Sequence, residues 1–244
     1  MKGRIFTCNP LVQTVGPGLR FHIVLQGCTL TCHHCTIPGS WNYFGGTEVT
    51  IDELLSQIEP HLESYRSSGG GITISGGEPM LQAPFVIELF KQCHSRWSLH
   101  TVLDTAGFSL LDFTKPLLTV TDLLIFNLKT FDEQKHIELT GHSNQSMLYF
   151  AETAAEIGVP IHVKHVIIPG LTDDENELRS IGQWIAQIRT FEKLIIESYD
   201  PNCVMRWNEL GLISPLHAHH PSSPKQNALA EQIIQDAINQ SLQT

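Results

Sequence analysis

The stretch Phe21-His22-Ile23-Val24-Leu25-Gln26-Gly27-Cys28-Thr29-Leu30-Thr31-Cys32-His33-His34-Cys35 joins two kinds of information. Its first five residues are apolar or β-branched except for His22, the composition of a strand. Gly27 closes the run, and three cysteines follow in one short loop. In parallel α/β sheets, functional side chains collect where strands end and loops begin. A strand that leads directly into metal-binding side chains points to that class.

The pattern repeats downstream. Short apolar runs at 72–75, 100–103, 123–128, 161–168 and 193–199 read as further strands. Helical spacing separates them. Thr50 and Glu53 form a capping box, and Ile51, Leu54, Leu55, Ile58, Leu62 and Tyr65 mark one apolar face of the helix that follows. Further helices are expected at 83–94, 147–157, 174–188 and 227–242, with Gly158 placed to end the second of these in a left-handed turn. Strand–helix alternation implies right-handed crossovers and a parallel sheet with outer helices. Six units fall short of a closed eight-unit barrel, so the expected fold is α/β, an open, partial (β/α)6 TIM-like barrel. No linker divides residues 1–244, and a single domain is expected.

This alignment of strands makes the site readable. The strands lead in turn into the cysteine loop, Gly76-Gly77-Glu78, Asp104-Thr105 and Asn127-Leu128-Lys129. The fifth carries Lys164 and His165, and the sixth ends at Tyr199-Asp200. Polar and metal-binding residues from six strands thus converge on one rim.

Composition narrows the function classes. The chain has 244 residues, 41% of them hydrophobic, enough to bury a core. No apolar run approaches the ~20 residues of a membrane span. No apolar segment follows Met1-Lys2-Gly3-Arg4, so a secretory leader is not expected. The net charge of −10 argues against nucleic-acid and anionic-membrane partners and, with the clustered cysteines, suits the cytoplasm. His217-Ala218-His219-His220 lies among prolines and reads as a solvated loop. Of the six cysteines, Cys93 suits core packing, while Cys8 and Cys203 show no ligand pattern.

Cys28, Cys32 and Cys35 have C-x3-C-x2-C spacing. Three thiolates on a short loop can hold three irons of a cubane and leave the fourth open to another ligand. The spacing also permits a buried stripe on a helix, or a zinc site completed by His33, His34 or a distant cysteine. Gly69-Gly70-Gly71 is not a phosphate loop, because no Gly-Lys-Ser/Thr follows.

Together with Gly16-Pro17-Gly18-Leu19-Arg20 before it and Ser75-Gly76-Gly77-Glu78-Pro79 after it, the triplet resembles the radical S-adenosylmethionine (SAM) enzymes, and among them the glycyl-radical-enzyme activases. The resemblance runs from Gly3 to about Gly211 and includes Trp41, Gly45-Gly46-Thr47-Glu48-Val49-Thr50, Leu103-Asp104-Thr105, Leu128-Lys129 and Ile168-Pro169-Gly170. It implies one [4Fe–4S] cluster on Cys28, Cys32 and Cys35 with an open iron that chelates SAM. It implies a protein substrate, pyruvate formate-lyase or another glycyl radical enzyme, and a reductant such as flavodoxin. Backbone around His34, Cys35 and Thr36 would face the adenine. Gly76, Gly77 and Glu78 would receive the cofactor amino group, the Glu78 carboxylate accepting from it. Lys129 would reach the carboxylate or ribose, with Asp104, Thr105, Leu128 and Lys164 nearby.

Several positions depart from that pattern. Thr36-Ile37 stands where His-Asn is common, Asn127 where Asp is expected, Lys164 where Arg is expected and Asp200 where His is expected. Loss of a carboxylate at Asn127 should weaken a monovalent cation site, and Asp200 is the candidate to replace that charge. The alternatives that the departures leave open are a radical SAM enzyme with another substrate and a cluster-binding protein without turnover.

Overall fold

A computed structural model describes residues 1–108 and 111–243. Eight strands form one open sheet: β1 (Lys2–Val12), β2 (Arg20–Leu25), β3 (Thr47–Thr50), β4 (Gly71–Gly76), β5 (His100–Thr105), β6 (Leu123–Asn127), β7 (Ile161–Ile167) and β8 (Phe191–Ser198). Their spatial order is β3-β1-β2-β4-β5-β6-β7-β8. From β2 to β8 every pairing is parallel, and these six strands are the six expected.

The sheet is larger than the six-unit expectation. β1 and β3 extend it with antiparallel pairings. Both evade a periodicity reading: β1 contains Pro10, exposes Phe6 and Leu11, and shifts register against β2 between Asn9 and Val12.

The helices are α1 (Ile51–Ile58), α2 (Leu62–Ser68), α3 (Ala83–Trp97), α4 (Leu111–Leu118), α5 (Glu133–Thr140), α6 (Gln145–Ile157), α7 (Glu175–Ile185), α8 (Asn202–Glu209) and α9 (Pro224–Ser241). The Thr50–Glu53 capping box is present, satisfying amides that otherwise lack partners. The helix expected to continue to Tyr65 is interrupted by a 3-10 turn at Glu59–His61, where Pro60 cannot continue the α-helical ladder. Gly158 ends α6 at φ +96°, as its position demanded. None of the described helices is long and apolar enough to cross a membrane.

Strand β7 shows how the sheet divides its faces. Ile161, Val163, His165 and Ile167 are buried, whereas His162, Lys164 and Val166 are only partly so. The first set packs toward the helices and the second lines cavities on the other face. Hence Lys164 and His165, adjacent in sequence, cannot serve the same rim.

At the opposite end of the sheet, the fully buried Arg20 ties three segments together. Its guanidinium donates to Thr73 Oγ1 at 2.5 Å, to the Pro17 carbonyl at 2.9 Å, to the Ile72 carbonyl, and to the His100 carbonyl at 2.9 Å. Burial lowers its pKa to about 10, leaving it charged at neutral pH. An Arg20→Met substitution keeps the bulk but strands these carbonyls. It should cost about 3 kcal/mol or more in urea denaturation, since each unmatched buried acceptor costs ~1–3 kcal/mol.

Candidate active site

Two contacts hold the cysteine loop where β2 ends. On one side, the Gly77 amide donates to the Leu25 carbonyl at 3.0 Å and the Glu78 amide to the Gly27 carbonyl at 2.8 Å. A Cβ on Gly77 would fall 2.0 Å from the Gly27 oxygen, so only glycine allows this approach. On the other side, the amides of Thr31 and His33 donate to the carbonyls of Thr140 and Leu139 at 2.9 and 3.0 Å. Those carbonyls close α5, whose chain turns away at Gly141 with φ +83°. His142 Nε2 adds a bond to the Thr29 carbonyl at 3.1 Å.

The three thiols are free of disulfides and line a cavity of about 420 Å³. Burial raises the pKa of all three, to about 11 at Cys32, where Lys129 opposes the rise. Thiols held protonated by burial ionise when they coordinate a metal. They are not gathered around one point: among the described residues no three His, Cys, Asp or Glu side chains are placed to hold a single metal ion. A cubane spreads its thiolates over separate irons. His34 is buried inside the loop with neither ring nitrogen partnered, and burial, then Lys129, keeps it neutral.

The rim expected from sequence is assembled. The cavity is lined by His34 and Thr36 from the loop, Gly76 and Gly77 from β4, Asp104 and Thr105 from β5, Asn127 and Lys129 at the end of β6, Lys164 from β7 and Asp200 after β8. Asp104 has both oxygens engaged: Oδ1 accepts from Asn127 Nδ2 at 2.5 Å and Oδ2 from Lys164 Nζ at 2.9 Å. Burial opposes the Lys164 charge, but Asp104 and Glu197 outweigh it and raise its pKa. Lys129 has no hydrogen-bond partner among the described residues.

Three residues of the expected set are placed differently from the rest. Glu78 does not line the cavity. It is fully buried, and its carboxylate accepts from Thr105 Oγ1, from the Met80 amide at 3.0 Å and from the Ala106 amide at 3.2 Å. Leu128 is likewise turned inward, its amide donating to the Lys164 carbonyl at 2.9 Å. Asp200 lines the cavity but is engaged on its own side: it accepts from Arg206 at 3.2 Å and from the Asn202 amide at 2.9 Å.

Arg206 also donates to the Thr36 carbonyl at 2.7 Å, and Trp207 meets Trp41 edge-on with centroids 4.9 Å apart. Residues from the region after β8 therefore brace the cysteine loop, although nothing in their spacing announced it. The same holds for the support of Lys129. Glu177, on α7, accepts from the Phe131 amide and from the Asp132 amide at 3.2 Å. Asn144 donates to the carbonyls of Thr130 and Phe131 at 3.2 and 2.7 Å, and His165 bonds the Leu128 carbonyl at 3.0 Å. The helical phase of α7 could have shown that Glu177 falls on its buried side. Cys203 packs with Leu139, Ile168, Tyr199 and Leu216, and Cys93 lies in the main core.

A family model for the radical SAM superfamily matches residues 22–180. This chain belongs to the radical SAM superfamily. It is 35% identical to the pyruvate formate-lyase-activating enzyme of Staphylococcus epidermidis over 95% of this chain and 94% of that one. The enzyme of the same name from Staphylococcus aureus is 36% identical over 87% of each chain. Among solved structures, a domain of the pyruvate-formate lyase-activating enzyme from Bacteroides vulgatus superposes with a TM-score of 0.57. The match has 22% identity and covers 69% of this chain and 94% of that one. A radical SAM methyltransferase from Sphaerobacter thermophilus superposes at 0.65 with 15% identity, over 89% and 64% of the two chains. These likenesses support the open α/β fold. Family membership brings a [4Fe–4S] cluster and SAM, and the unbridged thiols beside an unpaired lysine suit both.

Glu78 gives this radical SAM protein a pH signature. Burial lifts its pKa from 4.5 to about 7, against its three hydrogen bonds. Between those values the folded protein holds a proton that the unfolded chain has released, so stability falls as pH rises through the window. In metal-free protein, the melting temperature of the wild type relative to Glu78→Gln should drop between about pH 5 and about pH 8. The comparison cancels the buried histidines, whose lowered pKa values act in the opposite sense.

Proposed function

We propose that this protein is a glycyl-radical-enzyme activase whose substrate is pyruvate formate-lyase or a relative, working in the cytoplasm with flavodoxin or a similar one-electron donor. The observation that carries the reading is the cavity itself: three free thiols, an unpartnered lysine and the carboxyl ends of six parallel strands meet there. Near-full-length similarity to activating enzymes supports the choice of substrate.

Bound together, the cluster and SAM supply reductive cleavage to methionine and a 5′-deoxyadenosyl radical able to take hydrogen from a glycine Cα. The chain's own residues bind and orient. Cys28, Cys32 and Cys35 hold the cluster. Lys129 is the cation for the cofactor carboxylate, because the other lysine of the wall is committed to Asp104. The Gly76-Gly77 turn offers main-chain carbonyls to the amino group. Thr36, Asp104, Thr105 and Asn127 form the polar remainder of the wall, and the buried Glu78 orients Thr105. No monovalent cation enters this reading, since the ammonium of Lys164 already neutralises Asp104.

The test is anaerobic reconstitution with iron and sulfide, dithionite reduction, and two readouts: 5′-deoxyadenosine release and the glycyl-radical EPR signal on pyruvate formate-lyase. The wild type should give both, and Cys32→Ala should abolish both. Cleavage of SAM without a radical on the lyase would reassign the substrate. Lys129→Met should weaken SAM affinity by about tenfold or more, as loss of a charge-assisted bond requires, and Lys164→Met should weaken it less.

A further inference from the structure

One polar group on the cavity wall is left without a role by the cofactor. His22 sits in the middle of β2 and lines the cavity with Ser75 from the end of β4. Its Nε2 lies 2.6 Å from Ser75 Oγ. Nδ1 has no partner among the described residues. Val15, Val24 and Val166 contribute apolar wall to the same cavity, so a histidine here is not required by packing.

Its depth separates it from the cluster. His22 precedes Leu25, the last residue of β2, by three positions, and a strand rises ~3.3 Å per residue. The ring is therefore rooted about 10 Å below the end of the strand from which the cysteine loop departs. A second cavity of about 320 Å³ lies between the segment Gln13–Pro17 and strands β6 to β8. Lys164 and Glu197 line both chambers, so the two cavities adjoin along β7 and β8.

A peptide drawn into this interior loses water from its main-chain amides and carbonyls, and each group left unpaired costs ~1–3 kcal/mol. Asp104, on the same wall, is already matched by Asn127 and Lys164. Burial lowers the His22 pKa, against Asp104 and together with Lys164, so the ring is neutral at physiological pH. Ser75 holds one nitrogen, and the other is left to donate or accept.

We propose that His22, held by Ser75, hydrogen-bonds through Nδ1 to the main chain of the peptide segment that carries the target glycine, a substrate-positioning contact beneath the cofactor. The proposal rests on the activase reading. It makes His22 a determinant of protein-substrate affinity rather than of cofactor binding.

The experiment compares the wild type with His22→Leu, His22→Asn and Ser75→Ala. It reads KM for pyruvate formate-lyase from the glycyl-radical EPR signal and Kd for SAM by calorimetry on the reconstituted protein. His22→Leu should raise KM about tenfold, while the Kd for SAM stays within about twofold. His22→Asn, which keeps a neutral donor and acceptor, should recover part of the loss. Ser75→Ala leaves the ring in place but unties it, and should raise KM several-fold. It also keeps the test open if His22→Leu folds poorly. Unchanged KM in His22→Leu and Ser75→Ala, or SAM affinity falling in step with KM, would overturn the proposal while leaving the activase reading intact. No radical on the lyase with the wild type would overturn that reading and this proposal with it.

Discussion

The cysteine loop depends on a main-chain contact that admits no side chain. Gly27 and Gly77 lie so close that a single Cβ would drive into a carbonyl oxygen, and two amide–carbonyl bonds fix the pair. From that contact the order spreads across the sheet. Glu78, adjacent to Gly77, reaches Thr105 and the Ala106 amide, so the ends of β4 and β5 are tied to the contact that holds the loop. The closing carbonyls of α5 hold the loop's other flank. A thiol triplet on an unsupported loop would sample many separations. Docked between a glycine turn and a helix end, it presents one arrangement to the iron.

Charge in the cavity is divided rather than pooled. Asp104 and Lys164 neutralise each other on the inner wall, and Asp200 and Arg206 do so where α8 meets the cysteine loop. That leaves Lys129 as a wall cation without a carboxylate, on a segment with no regular structure of its own. Its position is maintained from behind by Glu177, Asn144 and His165, which satisfy the main chain around it. Buried polar groups that serve a neighbouring backbone are costly unless fully paired, and here they are paired. Asn127 and Lys164 thus belong to one network, through Asp104, and Asp200 to another, through Arg206.

Much of the fold was legible because its signals are local. The six parallel strands follow from apolar runs, and the start of α1 from the Thr50–Glu53 box, where the interacting residues are three positions apart. Pro60 announces the break after α1 in the same local way. β1 and β3 were not legible, since an edge hairpin with Pro10 and exposed Phe6 and Leu11 carries no clean alternation. Short polar helices such as α5 and α8 hide for the same reason: their stability comes from what they dock against.

By itself the sequence determined the thiol spacing and the strand-to-loop junctions that send polar residues to one rim, and its resemblance to a known family supplied the cofactor class. Tertiary structure alone decided which groups face the cavity and which are spent elsewhere. Glu78 turns inward to Thr105, Asp200 turns to Arg206, and Lys164 and His165 part to opposite faces of β7. The reason is physical. Spacing along a chain sets which residues can meet, but a charge settles on the partner that packing brings within about 3 Å, whether that partner lies 6 residues away, as Arg206 does from Asp200, or 60, as Lys164 does from Asp104.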